Sequence, residues 1–110
     1  MNGIIMKPVL TLFLLASLAG AAFAQSPSPP QYIYVSNQGS ASISVIDADS
    51  HTVTDTVNLQ ELGFSENAMP HHTVAEPDGS FWYVTLIGEN RVLKFNRENE
   101  LVGQVTTEVP

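Results

Sequence analysis

From Gln31 onward, apolar and polar residues alternate with a period of two in short runs, and clusters of turn-forming residues separate the runs. Such alternation marks β-strands, whose successive side chains point to opposite faces. It predicts strands over 31–37, 41–47 and 51–58, divided by Asn37-Gln38-Gly39-Ser40 and Asp47-Ala48-Asp49-Ser50. The stretch 60–70 breaks the period with Gly63, Asn67 and Pro70 and is expected to be a crossing loop. Four further strands are expected over 71–76, 81–87, 90–96 and 101–109, with Pro77-Asp78-Gly79 as a hairpin turn. In 81–87, Phe81, Tyr83 and Ile87 fall on one face and Trp82, Val84 and Leu86 on the other, so this strand is expected to be covered on both sides. The segment 51–57 alternates Val with Thr and Asp, which places it at a wet rim with His51 in solvent. No helical period follows residue 30.

The strand pattern occurs twice, at an offset of about 49 residues. Ile33-Tyr34-Val35-Ser36 aligns with Trp82-Tyr83-Val84-Thr85, Gly39 with Gly88, Ile43 and Ile46 with Val92 and Phe95, and Val53 with Val102. Antiparallel units of roughly 40 to 50 residues are the repeats of β-propellers. The fold class expected is therefore all-β, a β-propeller fragment of two four-stranded antiparallel blades, the first lacking one strand, over residues 31–110.

What precedes residue 31 changes the picture of compartment. Lys7 is followed by a run from Val9 to Ala24 without charge or proline, ending in Ala22-Phe23-Ala24, a small-x-small site for a signal peptidase. Residues 1–24 are thus expected to be a helical Sec-type bacterial signal peptide cleaved after Ala24. The run is shorter than the roughly 20 residues of a spanning helix, so no stable membrane anchor is expected after cleavage. Residues 25–30, Gln-Ser-Pro-Ser-Pro-Pro, form a linker. A periplasmic or secreted protein is the expectation. Without cysteine, it must be held by packing and not by disulfides.

Beyond residue 24 three cations, Arg91, Lys94 and Arg97, stand against eleven acids. That balance disfavours nucleic acid and anionic lipid as partners.

The strings Tyr32-Ile33-Tyr34-Val35-Ser36-Asn37 and Ile43-Ser44-Val45-Ile46-Asp47, followed by Val53 and Val57, resemble the YVTN-type, surface-layer-like propeller repeat. The second copy is looser, with Leu86 where Asn is usual and Val92-Leu93-Lys94-Phe95-Asn96 in place of Val-x-Val-Ile-Asp. Pro70-His71-His72 and Pro77-Asp78-Gly79 resemble the same family's inner strand and turn. The resemblance implies a seven-bladed propeller, several times this length. On that implication the chain is an N-terminal fragment, and its remaining blades come from a longer chain or from self-association. The role it implies is a binding or scaffolding module for an unknown ligand or protein, without chemistry of its own and without a cofactor.

Two alternatives use chemistry. One is a lactonase-like propeller hydrolase; the other is a metal or haem redox protein resembling the nitrous oxide reductase or cytochrome d1 propellers. For the second, His71 and His72 are the candidate metal ligands, lining the channel from an inner strand, with copper or haem as the cofactor. Alternation argues against their gripping one ion together, because neighbours on a strand diverge. The competing reading is a pair of structural, channel-lining histidines. Asp47-Ala48-Asp49-Ser50 lacks the glycine and distal Glu of a calcium loop and is expected to close a turn through Asp47. Asp78 is read as turn chemistry. No Gly-x-Ser-x-Gly, His-Glu-x-x-His, phosphate-cradling loop or cysteine nucleophile occurs, so no catalytic residue is assigned. Of the aromatics, Tyr32 is a candidate for ligand contact, while Phe81 and Trp82 are expected to fill the space between blades.

Overall fold

The computed structural model describes residues 2–5, 20 and 22–108. Most of the expected signal segment lies outside the described residues, and the described part of 2–31 carries no regular secondary structure. Among the described residues no helix is long and apolar enough to cross a membrane.

The fold is all-β, in two antiparallel sheets. The first is the meander β1 (Tyr32–Asn37), β2 (Ser42–Asp47) and β3 (Thr52–Asn58), with a single 3-10 turn over Gln38–Ser40. The second is the meander β4 (Pro70–Ala75), β5 (Phe81–Leu86), β6 (Arg91–Asn96) and β7 (Leu101–Thr106). Chain order is spatial order in both sheets. The strands fall within a residue of their expected positions, except that β7 ends at Thr106 and not at Val109.

The repeat reaches into backbone detail. Strand β1 lies 49 positions before β5 and β2 49 before β6, and Ala41 and Asn90, at that same offset, are both left-handed, with φ of 48° and 52°. Each copy also carries one bulge at the same place, between Val45 and Ile46 in the first and between Lys94 and Phe95 in the second. Past the turn that follows β2 and β6 the offset changes. Val53 pairs with Ile46, whereas Phe95 pairs with Leu101, so the counterpart of Val53 is Leu101 and not Val102. The second turn is one residue shorter, which a constant offset does not reveal.

The bulge also corrects the picture of the outer strand. Period-two alternation puts Val53 and Val57 on one face. In the structure Val57 pairs with Ile43 and is buried, while Val53 pairs with Ile46 on the opposite face and is 60% exposed. One unpaired residue inserted into a ladder exchanges the faces beyond it.

Between the sheets lies the core. The front of the first sheet contributes Tyr34, Ile43, Val45 and Val57; the back of the second contributes Trp82, Val84, Leu93 and Phe95. Trp82 is fully buried, stacked on Phe95 at 4.3 Å and against Tyr34 at 4.6 Å. Its indole Nε1 donates to Asn99 Oδ1 at 3.2 Å, and Asn99 Nδ2 in turn donates to Asp55 Oδ2 at 2.8 Å, which ties the second sheet to β3 of the first. Trp82 thus fills the inter-sheet space as expected. Phe81 does not: it lies on the front of the second sheet, beneath the Lys94 ammonium at 3.8 Å.

The packing is front to back. Tyr34 on the front of the first sheet has Tyr83, on the open front of the second, as its counterpart; Trp82 and Phe95 on the buried back of the second have Ile33 and Ile46 on the open back of the first. Ile33 and Val53 on that back are 51% and 60% exposed, and Val74 and Val105 on the open front are 64% and 60% exposed. Each outer surface corresponds in register to a surface that is buried inside, with Lys94 on the open front in the place of buried Val45 and Ser44 on the open back in the place of buried Leu93.

Candidate functional site

The site begins with a flaw in the β4–β5 ladder. Pro70 pairs with Leu86 and Thr73 with Val84, which leaves His71 and His72 together opposite Thr85. Two residues against one is a β-bulge, and it cancels the divergence expected of strand neighbours. The imidazole rings lie 4.9 Å apart, tilted by 41°, with Nδ1 to Nδ1 at 2.9 Å. The expectation that His71 and His72 point apart is thereby overturned.

The segment is anchored on both sides. Pro70 is fully buried, and Met69, left-handed at φ 53°, accepts a bond from Ile87 N through its carbonyl at 3.2 Å. His72 N donates to Thr85 Oγ1 at 3.1 Å, so a side chain takes the amide that the broken ladder releases. One residue on, Thr73 Oγ1 donates across the sheets to Tyr34 O at 3.0 Å. Both imidazoles are exposed, at the edge of a depression of about 310 Å³ that also borders Thr85, Asn90 and Thr107. Among the described residues no group of three or more His, Cys, Asp and Glu side chains converges on a point.

Two other polar clusters are turns. Asp47 Oδ1 accepts from Ser50 N at 2.8 Å, Asp49 N at 3.0 Å and Ser50 Oγ at 3.0 Å, as expected of a turn-closing Asp. Asp78 Oδ1 accepts from Ser80 Oγ at 2.6 Å and Ser80 N at 3.0 Å, beside Gly79 at φ 71°. These bonds favour the ionised form. The Ser50 amide, chiefly, holds Asp47 below the ordinary carboxylate value of 3.8, and the Ser80 hydroxyl does the same for Asp78. A carboxyl lowered in the folded state contributes stability above its unfolded value and loses it as pH falls through the folded one. We expect a D47N/D78N variant to be less stable than the parent at neutral pH but to lose less between about pH 5 and pH 2, read from urea midpoints. Parallel losses for both proteins would refute the assignment. His51 is exposed at the head of β3, as expected of a rim residue, with a left-handed φ of 56°.

On the front of the second sheet, Tyr83 donates its hydroxyl proton to Glu76 Oε1 at 2.6 Å, and Ser80 Oγ, whose proton is directed at the nearer Asp78, lies 3.1 Å from Glu76 Oε2. The Glu76 bond raises the Tyr83 phenol above its ordinary 10.0. This cluster escaped the sequence, because Glu76 and Tyr83 meet only once the β4–β5 hairpin has formed. Tyr32 is half-buried and, with Tyr34, Glu76 and Arg97, lines a groove of about 530 Å³ beside the linker, where Arg97 Nη2 donates to Pro30 O at 2.8 Å. The chain matches no protein-family model and no curated protein.

Proposed function

We infer that residues 31–110 are consecutive blades of an exported YVTN-type β-propeller, acting as a binding or scaffolding module. The observation that carries this reading is the front-to-back packing. A surface that stacks on its own repeat, and leaves the same surface open at either end, is made to be continued by further units; a two-sheet sandwich would bury its apolar faces against each other. The matching bulges and the shared left-handed turns support a repeat that extends to backbone geometry. In such a ring β4, the first strand of its sheet, would face the central channel, and the histidine bulge would open onto it. The lactonase-like alternative asks for acidic or His ligands converging on the channel from several blades.

Open apolar faces of this kind lead to association in water. Sedimentation of the full chain should show mass rising with concentration, and Val105→Lys on the open front should lower it toward the monomer. A parent chain that stays monomeric and cooperatively folded at high concentration would defeat the propeller reading.

A further inference from the structure

We propose that His71 and His72 form a two-nitrogen chelate for a divalent transition metal of tetragonal preference, copper(II) foremost, bound through both Nδ1 atoms. The reason is the separation of the two nitrogens. With metal–nitrogen bonds of about 2.0 to 2.1 Å, ligands at right angles stand about 2.9 Å apart, whereas a tetrahedral ion spreads them to about 3.3 Å or more. The observed 2.9 Å fits the right-angled bite. Square-planar or tetragonal nitrogen and oxygen sets are the preference of copper(II) and nickel(II), and copper(II) stands highest in the general affinity order.

The backbone makes this bite a built feature. On a regular strand the two rings would lie on opposite faces; here the bulge against Thr85 turns both to one side, and buried Pro70 and the bond from His72 N to Thr85 Oγ1 hold it in place. The backbone of the pair is therefore set before the ion arrives. Both rings are exposed, so the other coordination positions open to water or to an incoming small ligand. The same distance would also fit a hydrogen bond between two neutral rings, one Nδ1 donating and the other accepting. The chelate instead requires both Nδ1 atoms bare, with the protons on Nε2. This inference rests on the bulge and on the nitrogen separation, and holds whether or not the sheets belong to a propeller.

The test is copper(II) titration of the full chain, followed by calorimetry and by electron paramagnetic resonance, beside His71→Ala, His72→Ala, the double variant and His51→Ala. The parent should bind one ion with a tetragonal spectrum and hyperfine splitting from two imidazole nitrogens. Each single variant of the pair should weaken binding about tenfold or more, the double variant should fall to background, and His51→Ala should match the parent. The exposed rings make these variants safe for folding, which far-ultraviolet circular dichroism will verify. Parental affinity in the double variant, or a parent spectrum with one nitrogen, would overturn the proposal.

Discussion

Trp82→Ala should cost about 3–5 kcal/mol in urea unfolding followed by circular dichroism, the range for removing a large aromatic from a closed core. Trp82 is fully buried between Tyr34 and Phe95, one from each sheet, so its ring is the largest piece of the contact that joins them. Small domains are worth about 5–15 kcal/mol in all, and the alanine variant could leave little folded protein to measure. Trp82→Phe keeps most of the stack while losing part of its volume and the bond to Asn99, and should cost about 1–2 kcal/mol. An alanine variant within 1 kcal/mol of the parent, or a phenylalanine variant as damaging as alanine, would show that the stack does not hold the sheets together.

Gly88→Ala should cost about 3 kcal/mol, whereas Gly39→Ala, its counterpart in the first copy, should change stability by no more than about 0.5 kcal/mol. At Gly88 an added Cβ runs into the carbonyl oxygen of Asn67 and comes within 2.9 Å of Asn67 C and 3.0 Å of Ala68 C. These are backbone atoms of the crossing segment between the sheets, pinned there by the bond from Gly88 N to Ala68 O at 2.9 Å. They cannot step aside as a side chain would. At Gly39 nothing lies within 4 Å. Equal effects at the two positions would mean that the crossing segment does not lean on Gly88.

That pair of glycines shows what the sequence can carry. Both stand at the same place in the repeat, and alignment treats them alike, because a shared letter records a position and not what packs against it. The strands, their order and the repeat were legible, since alternation and turn residues act locally. So were the roles of Asp47, Asp78 and Trp82. The bulges were not legible: an inserted residue leaves composition and alternation almost untouched, yet it moves Val53 to the opposite face from Val57. Nor was the shorter second turn, which puts Leu101 in place of Val102 in the register. The same cause hid the convergence of His71 and His72. Their adjacency in sequence argued for opposite faces, and only the pairing of Pro70 with Leu86 and Thr73 with Val84 reveals the extra residue between. The surplus apolar residues of 81–87 suggest a strand covered on both sides; Trp82, Val84 and Leu86 are covered, while Phe81 and Tyr83 remain half-exposed on the open front.

Because both sheets are simple meanders, strand pairing never reaches far along the chain. The hairpin loops, 38–41, 48–51, 76–80, 87–90 and 97–100, are short, and only the crossing over 59–69 is longer. Such topology keeps the entropy of loop closure small and favours rapid folding. Every pairing partner of the first sheet lies at or before Asn58, so the sheet can complete its pairing before residue 70 has left the ribosome, and its finished front can then offer Trp82 and Phe95 a surface on which to condense. A chain of this design can assemble from its N-terminal end, the first meander acting as the template for the second.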